Sequence, residues 1–463
     1  MTSALPQELI DDIVDHLHDN PSALGVCSLT NPIFLDAART HLFRAVSLSP
    51  FRGAAKRCAQ LEDLLANDPA LTRYIQHLRL VEDSSIASAW LRAEVSLPSL
   101  LRRLADARSL AGLYIHGPTS SSIVWNVLPV VTQAAFIDII SSPSMRTLRL
   151  ERVTNLPYQL LHSIGPFISQ MVFLQSTLEE DSELRSITAR VERGVKTCVP
   201  ALSLASVQVE TAYEVQQAGN VEYLLQWLAQ REAHTETMPL KQLSIVLRTR
   251  GPDTHDAVNA LLARCTALES LALYPCPDYS PPAAFSAVDQ AISVARLSML
   301  RDVTLGGAIL RLAPLGVPRW LVRAFELLPA GVDHLRVDFV GAEWRAGASG
   351  FADWEAVDEA LGAWAARARE LRERQQDAQP AMLLQPITLS NSTQIELRGR
   401  GIRRMVLMGA PPRQVTLCLP AELRYTMLGY ERLVERIWLA LPRLVTPGVV
   451  LDVRSGPGRA TTT

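Results

Sequence analysis

The densest group of titratable side chains lies near the amino terminus, where Asp12, Asp15, His16, His18 and Asp19 fall close together. Carboxylate and imidazole groups are the usual protein ligands of divalent metals. The apolar residues around them recur at helical spacing, however, which indicates that the charged groups form the solvated face of a helix. We therefore predict no metal site here, and we expect no cofactor.

Other groups that could do chemistry lack the context that catalysis requires. Cys27 and Ser28 are adjacent, but no nucleophile-elbow motif surrounds them. The basic run Arg398–Arg404 (RGRGIRR) lacks the Walker pattern and indicates a turn before a strand. Glu179, Glu180 and Asp181 are adjacent in a polar loop, which says nothing about acid–base catalysis. No catalytic residue is predicted, and the chain is expected not to be an enzyme.

The composition is that of a folded protein with no electrostatic attraction to nucleic acid. The chain has 463 residues, of which 48% are hydrophobic and 20% charged, with a formal net charge of -2. The six cysteines form no CxxC pair, and no signal peptide is evident before the acidic residues of the first helix. The apolar stretch from Ile123 to Ile140 is interrupted by Pro129 and Asp138, so it is a poor membrane span. We expect a cytoplasmic or nuclear protein that does not enter a membrane.

The first segment, residues 1–50, reads as three short helices. Pro6 suits the first helical turn, and the residues that follow place apolar side chains on one stripe: Leu9, Ile10, Ile13, Val14 and Leu17. Asn20-Pro21 starts a second helix, and Asn31-Pro32 ends it. Ile33 to Phe43 predicts a third helix. Helices this short bury little surface, so they are expected to share their core with a partner or with the residues that follow.

Three segments resemble, in sequence and in the distances between them, an F-box of the kind abundant in mushroom-forming fungi. They are Leu5–Ile10 (LPQELI), Cys27–Leu29 (CSL) and His41–Arg44 (HLFR). The resemblance implies docking on a Skp-type adaptor, and through it on a cullin ubiquitin ligase. The residues that it implies for adaptor binding are Leu5, Pro6, Leu9, Ile10, Ile13, Leu17, Leu29 and Phe34. Phe34 follows Pro32 in a region where many members carry a tryptophan. The alternative to adaptor docking is that the three helices only cap the amino-terminal end of the segment that follows.

The next segment, residues 51–345, repeats a short sequence pattern, here called a phrase, in which two apolar residues flank one variable residue. The phrases recur roughly every 30 residues, which is typical of long, degenerate leucine-rich repeats. They are His77–Leu80, Gly112–Ile115, Thr147–Leu150, Gln242–Ile245, Ser270–Leu273, Asp302–Leu305 and His334–Val337. Two more are expected near Met171–Leu174 and Leu202–Leu204. The predicted fold is α/β: a three-helix F-box-like module followed by an irregular leucine-rich-repeat solenoid, with a parallel strand layer and outer helices.

The middle residue of each phrase is expected to face outward, because side chains alternate along a strand. In a solenoid these residues form a row on the concave face, where a partner would bind. The candidates for binding a protein substrate are Arg79, Tyr114, Arg149 and Arg336. A doubly wound α/β domain uses the same elements, but it normally has a glycine-rich turn after an early strand.

The last segment, residues 346–463, begins with an amphipathic helix whose apolar seam is Trp354, Val357, Leu361, Trp364, Ala368 and Leu371. Strand-like runs follow at Met382–Leu389, Met405–Met408, Val415–Leu419 and Val449–Val453. A flexible tail ends the chain. These features favour the substrate-recognition subunit of an SCF-type ubiquitin ligase. The alternatives are a solenoid scaffold with no ubiquitin role and, without any supporting motif, an α/β hydrolase or nucleotide-binding enzyme.

Overall fold

The computed structural model describes residues 6–82, 89–179, 204–210, 224–229, 239–247, 254–274, 294–312, 315–343, 351–378, 413–419, 430–443 and 449–455. The chain is mixed α/β with a large parallel sheet, and it divides into two compact units, Met1–Asp278 and Tyr279–Thr463. Leu5 lies outside the described residues. The predicted segments 1–50, 51–345 and 346–463 stay predictions.

The first unit begins with α1 (Gln7–Asp15), α2 (Pro21–Thr30) and α3 (Leu35–Arg44). The Asn20 side chain caps α2 by accepting a hydrogen bond from the Ala23 amide at 3.1 Å, as the sequence predicted. The third helix differs from its prediction in its first turn, because Pro32–Phe34 forms a 3₁₀ turn before α3 begins. Asn31 caps that turn by accepting from the Ile33 amide at 3.0 Å.

The three helices share a small core of their own. Val14, Leu24 and Ala38 are fully or almost fully buried, and Leu17, Phe34, Ala37 and Leu42 pack around them. The imidazole of His41 and the carboxylate of Asp15 lie 2.7 Å apart, which joins α3 to α1. On its other side α3 contacts the 3₁₀ segment Pro69–Tyr74, where Arg73 and Tyr74 both donate hydrogen bonds to Asp36. The helices are therefore attached to the chain that follows.

A parallel sheet forms the body of the first unit. Among its described residues, the strands are β1 (Ala45–Leu48), β2 (His77–Val81), β3 (Gly112–His116), β5 (Thr147–Glu151), β7 (Gln170–Leu174), β8 (Ser206–Glu210), β9 (Gln242–Val246) and β10 (Ser270–Tyr274). Each strand pairs in parallel with the next one in this order. β4 (Ile123–Val124) and β6 (Val153–Thr154) form a separate short parallel pair.

The predicted strand phrases of this unit are confirmed, including the strand expected near Met171–Leu174. The strand expected near Leu202–Leu204 is displaced, because the structure places β8 at Ser206–Glu210. The polar residues of Ser206–Glu210 alternate with Val207 and Val209, and these valines supply the buried face. Two Leu residues one position apart are therefore not required for a strand of this sheet.

One face of this sheet is covered by helices. In β2, Leu78 and Leu80 are completely buried while Arg79 between them is exposed, and β5 repeats the pattern. The cover comes from the apolar faces of three helices, Ala54–Asn67, Leu97–Ala107 and Val130–Ile140. Parallel strands taken in sequence order, with crossovers of one hand, place all their helices on the same face. The doubly wound alternative does not fit this unit, because it requires a reversal of strand order.

The opposite face carries the middle residues of the strands, which are exposed or partly buried at most positions. Val172 of β7 is an exception, since it is buried as well. The alternation therefore holds for β2, β5, β8, β9 and β10, and β3 departs from it only at the buried Gly112.

Helices Ala54–Asn67 and Leu97–Ala107 are joined by a polar contact. Ser99 Oγ and Arg103 Nη2 donate hydrogen bonds to Glu62 Oε1 at 2.6 and 3.0 Å. Burial raises the pKa of Glu62, but the hydrogen bonds from Arg103 and Ser99 outweigh that effect and hold the pKa below its ordinary 4.5. A carboxyl whose pKa is lowered by folding stabilises the protein above its unfolded-state pKa and loses this contribution in acid.

We expect Glu62→Gln to lower the free energy of unfolding by about 1 kcal/mol at pH 7. The difference from wild type should vanish as the pH falls through the folded pKa of Glu62, below 4.5. Urea unfolding at pH 7 and pH 3 measures both values. Asp63→Asn, at an exposed position of the same helix, is the control and should change little. A Glu62→Gln effect of equal size at both pH values contradicts the prediction.

The second unit contains a parallel sheet of β11 (Asp302–Leu312), β13 (His334–Glu343), β15 (Arg413–Leu419) and β16 (Val449–Ser455). β12 (Leu315–Pro318) pairs antiparallel with both β11 and β14 (Phe351–Asp353). The described helices of this unit are Arg319–Glu326, Trp354–Ala378 and Tyr430–Ala440. The strands predicted at Asp302, His334, Val415 and Val449 are confirmed, whereas Met382–Leu389 and Met405–Met408 lie outside the described residues.

The long helix of this unit confirms the predicted apolar seam except at its last position, where Leu371 is only partly buried. Trp354, Val357, Leu361, Trp364 and Ala368 are all buried. Trp364 donates its indole N–H to the Pro329 carbonyl at 3.1 Å, and Arg367 donates to the Glu326 carbonyl at 3.0 Å. Both contacts attach the helix to the end of Arg319–Glu326. In the described parts of the chain, no helix has the length and apolarity to cross a membrane.

Candidate functional site

Exposed apolar side chains on α1 and α2 form the first candidate surface. Leu9 and Ile13, one turn apart on α1, are 49% and 47% exposed. Val26 and Leu29, one turn apart on α2, are 64% and 89% exposed. We call these four residues the apolar set. Each helix thus presents one exposed apolar pair, and both helices pack on the same small core, so the two pairs are the candidates for contact with another molecule.

The residues that the F-box resemblance assigned to adaptor binding differ in their exposure to solvent. Leu9, Ile13 and Leu29 are exposed, and Pro6 is exposed at the start of α1. Leu17 and Phe34 pack partly against the core of the three helices. Ile10 is completely buried within this chain. Its expected contact with an adaptor is therefore wrong, because a side chain sealed by its own fold cannot be covered by a partner.

Val26 was missed in the sequence-based set. The signal that could have found it is its position three residues before Leu29, on the same face of α2. It was overlooked because Leu24, Val26, Cys27 and Leu29 together suggest an apolar helix without a distinct stripe. Leu24 alone of these four is buried.

A cleft on the uncovered face of the sheet forms the second candidate surface. Its volume is about 650 Å³, and residues of β1, β2, β3 and β5 line it. Four of them lie side by side in the strand register: Ser47, Arg79, Tyr114 and Arg149. We call these four the central row. Neighbouring strands are about 4.8 Å apart, so the row is a closely spaced line of side chains across the sheet.

The central row contains three of the four residues that the sequence proposed for substrate binding. Arg79, Tyr114 and Arg149 all line this cleft. Arg336 belongs to the second unit, where it lies on β13 and its Nε donates to Asp338 Oδ1 at 2.7 Å. It does not line this cleft. Ser47 joins the row although sequence analysis did not select it, because Val46-Ser47-Leu48 has the same pattern as the other phrases but was not counted among them.

His77 lies in the cleft beside the central row. Its imidazole fits there because the neighbouring residue of β3, Gly112, has no side chain. Gly112 pairs with His77 in register, and a Cβ atom on Gly112 would lie only 2.4 Å from His77 Nδ1. The His77 and Tyr114 rings are 6.1 Å apart and tilted by 50°. Burial lowers the pKa of His77, and the nearby positive charge of Arg44 adds to this effect. Both effects favour the neutral form of the imidazole.

Gly112→Ala is expected to lower the free energy of unfolding by about 1–3 kcal/mol, because the added methyl group overlaps the imidazole. The double substitution Gly112→Ala with His77→Ala should recover most of that loss, since it removes the overlapping ring. Thermal unfolding of the wild type, both single variants and the double variant gives the coupling between the two sites. Additive effects of the two substitutions would show that the close approach has no energetic consequence.

Glu151 lies at the edge of the cleft among three basic side chains. Its carboxylate is 3.1 Å from Arg149 Nη2, 3.4 Å from His116 Nε2 and 3.6 Å from Arg152 Nη1. His116 Nδ1 lies 2.6 Å from the Gly117 carbonyl, which can only accept, so Nδ1 carries a proton and Nε2 faces the carboxylate. One acidic group thus faces several basic ones.

This network extends along the sheet beyond the cleft. Arg152 Nε donates to Gln175 Oε1 at 3.0 Å, and Gln175 Nε2 donates to Glu210 Oε1 at 3.1 Å. Arg152 and Gln175 both have positive φ, at 53° and 51°, in the left-handed region. These conformations turn the chain out of β5 and β7 and bring the two side chains together.

The contacts of Ser47 and of the histidines bear on what the cleft can do chemically. Ser47 makes no hydrogen bond with His77 or His116 in the described structure, so it has no general base to activate it. Within the same described ranges, no group of three His, Cys, Asp or Glu side chains is arranged to hold a metal ion. His16 and His18 instead approach the backbone carbonyls of Asp12 and Asp15, at the end of α1. The arrangement is suited to binding through hydrogen bonds and charge.

Comparison with known proteins adds no family assignment. A scan against protein-family models finds no match, and a search of the curated proteins finds no significant match. The functional argument therefore depends on the two surfaces themselves, the apolar set and the cleft.

Proposed function

We propose that this chain is the substrate-recognition subunit of an SCF-type E3 ubiquitin ligase. The apolar set on α1 and α2 docks on a Skp-type adaptor, which connects the chain to a cullin. The sheet and its outer helices act as a leucine-rich-repeat solenoid that holds a protein substrate on its uncovered face. The chain itself performs no bond chemistry.

The observation that carries this proposal is the exposure of the apolar set after the chain has folded. Leu9, Ile13 and Leu29 were assigned to adaptor contact by resemblance, and all three remain accessible. Their helices are held in place by the buried core of Val14, Leu24 and Ala38. A preformed apolar surface binds with less loss of conformational entropy than one that must be ordered on contact.

The proposed mechanism is positional. Holding a substrate on the solenoid raises the local concentration of its lysine side chains near a ubiquitin carrier bound to the same ligase. The sequential strand order favours this role, because in the first unit the middle residues of most strands lie on the uncovered face, with Val172 of β7 as the buried exception. Specificity would then come from the residues of the uncovered face, and adaptor binding from a separate surface at the amino terminus.

Co-expression of the full chain with a Skp-type adaptor tests the proposal. We expect a complex that survives affinity purification and gel filtration, and we expect a cullin added afterwards to join it. A chain that stays folded but elutes without the adaptor overturns the proposal.

The second candidate is a solenoid scaffold with no ubiquitin role, and the burial of Ile10 favours it. Ile10, Leu17 and Phe34 all contribute to packing within the chain, which is the behaviour of a structural cap. The scaffold still leaves Leu9, Ile13, Val26 and Leu29 unexplained. The co-expression experiment separates the two functions, because a cap has no reason to bind the adaptor.

A further inference from the structure

The central row places two arginines on either side of an aromatic ring. Arg79 and Arg149 are separated in register by Tyr114, so their Cα atoms are about 10 Å apart across the sheet. All three side chains line the cleft. A single group lying above Tyr114 is therefore within reach of both guanidinium groups.

The charge of the cleft favours an anion. Arg79 forms no ion pair with any residue that the structure describes, although it is exposed between two buried leucines. Arg149 faces Glu151, but that carboxylate is shared with Arg152 and His116. The basic side chains therefore exceed the acidic ones.

The cleft also contains hydrogen-bond donors that the chain does not use. The hydroxyl groups of Ser47 and Tyr114 have no hydrogen-bond partner within the described ranges. They lie in the same row as the two arginines. Unpartnered hydroxyl groups beside guanidinium groups, of which Arg79 forms no ion pair and Arg149 pairs only with Glu151 among the described residues, are donors that can recognise carboxylate and phosphate oxygens.

We infer that this cleft binds an anionic peptide segment, with a carboxylate or phosphate group held between Arg79 and Arg149. Arg79 and Arg149 supply the charge, Ser47 and Tyr114 supply hydrogen bonds, and the rings of His77 and Tyr114 contact the neighbouring peptide residue. The inference rests on the proposed function in one respect, since the peptide would belong to the protein substrate.

The size of the cleft favours a peptide over a free ion. A volume of about 650 Å³ is within the range of sites for molecules larger than a single anion. Beyond the buried Val172 of β7, the same register position holds Gln208 on β8 and Ser244 on β9, which are partly exposed. An extended chain crossing the strands would meet successive strands about every 4.8 Å.

Fluorescence anisotropy of the full-length chain with labelled peptides tests this inference. The probes are octaglutamate, an octapeptide of alternating phosphoserine and glycine, a neutral octapeptide of glycine and glutamine, and octalysine. We expect both anionic probes to bind, the neutral one to bind far more weakly, and the affinity to fall as salt is added. Equal binding of anionic and neutral probes overturns the inference.

The variants Arg79→Gln and Arg149→Gln should each weaken binding of the anionic probes about fivefold, which is the size expected for an exposed ion pair. Arg102→Gln, an exposed arginine on helix Leu97–Ala107, changes net charge equally and should leave binding unchanged. Tighter binding of the phosphoserine probe identifies phosphate as the group recognised, tighter binding of octaglutamate identifies carboxylate, and equal affinities show that the cleft recognises either anion. Unchanged affinity in both cleft variants overturns the inference.

A charge-reversal variant distinguishes a specific loss of peptide binding from a loss caused by misfolding. The double variant Arg79→Glu with Arg149→Glu should lose octaglutamate and gain octalysine, a new affinity that an unfolded cleft would not produce. The same variant should still copurify with the adaptor, because the apolar set is unchanged. Peptide binding without adaptor binding supports the cleft and removes the ubiquitin role, whereas adaptor binding without peptide preference does the reverse.

Discussion

Replacing Leu9 and Ile13 together with aspartate is expected to abolish copurification with a Skp-type adaptor. Both side chains are about half exposed, so the substitutions should leave the core of Val14, Leu24 and Ala38 intact. At an interface the two carboxylates would have to be buried without partners, which costs several kcal/mol. We expect the affinity to fall by at least about 100-fold, measured by titration of the adaptor.

The matched control replaces two exposed apolar residues elsewhere in the same unit. Phe51 and Val95 are 84% and 87% exposed, and neither belongs to α1 or α2. Phe51→Asp with Val95→Asp adds the same charge and removes a similar amount of apolar surface. The control should bind the adaptor as wild type does. If both double variants lose the adaptor equally, general damage is the cause and the apolar set is not the docking surface.

Leu148→Ala is expected to lower the free energy of unfolding by about 2–5 kcal/mol, whereas Arg149→Ala should change it by less than about 0.5 kcal/mol. The two residues are neighbours on β5, but Leu148 is completely buried and Arg149 lies in the cleft. Removing Leu148 leaves a cavity under the helices. Removing Arg149 takes one basic partner from Glu151, which keeps its contacts with His116 and Arg152, so the expected loss is small.

Urea unfolding followed by circular dichroism measures both variants, with the shift of the midpoint as the readout. A sheet of sequential strands can lose strands in stages, so the slope of each transition should be compared with that of wild type. A large loss for Arg149→Ala would mean that its face is also part of the core. Little loss for Leu148→Ala would mean that the helices do not close over β5.

The strand layer could be predicted well because one short-range rule controls it. Side chains alternate along a strand, so Leu78 and Leu80 had to share a face and Arg79 had to lie on the other. The register between strands decides which outward residues lie side by side. The sequence of a single strand does not predict that register. Ser47 enters the central row through pairing with Arg79, and Arg336 falls in a different unit.

The helical stripe of α1 illustrates a second limit. Leu9 and Ile13 lie on one side of the stripe, and Ile10 and Val14 lie on the other. Helical spacing shows that all four are on the apolar half, but it does not show which neighbour covers each side. The structure assigns Ile10 and Val14 to this chain and leaves Leu9 and Ile13 uncovered. A similar limit applies to Glu151, whose three basic neighbours come from β3, β5 and the residue after β5.

The separation of the two faces has a consequence for how such a chain diversifies. Each of β1, β2, β3 and β5 presents one side chain to the central row, while the leucines that hold the helices point the opposite way. A codon change at position 79, 114 or 149 is therefore expected to alter the proposed peptide site with little penalty for folding. Variants that keep the buried leucines could then differ in the peptide they bind, one row position at a time.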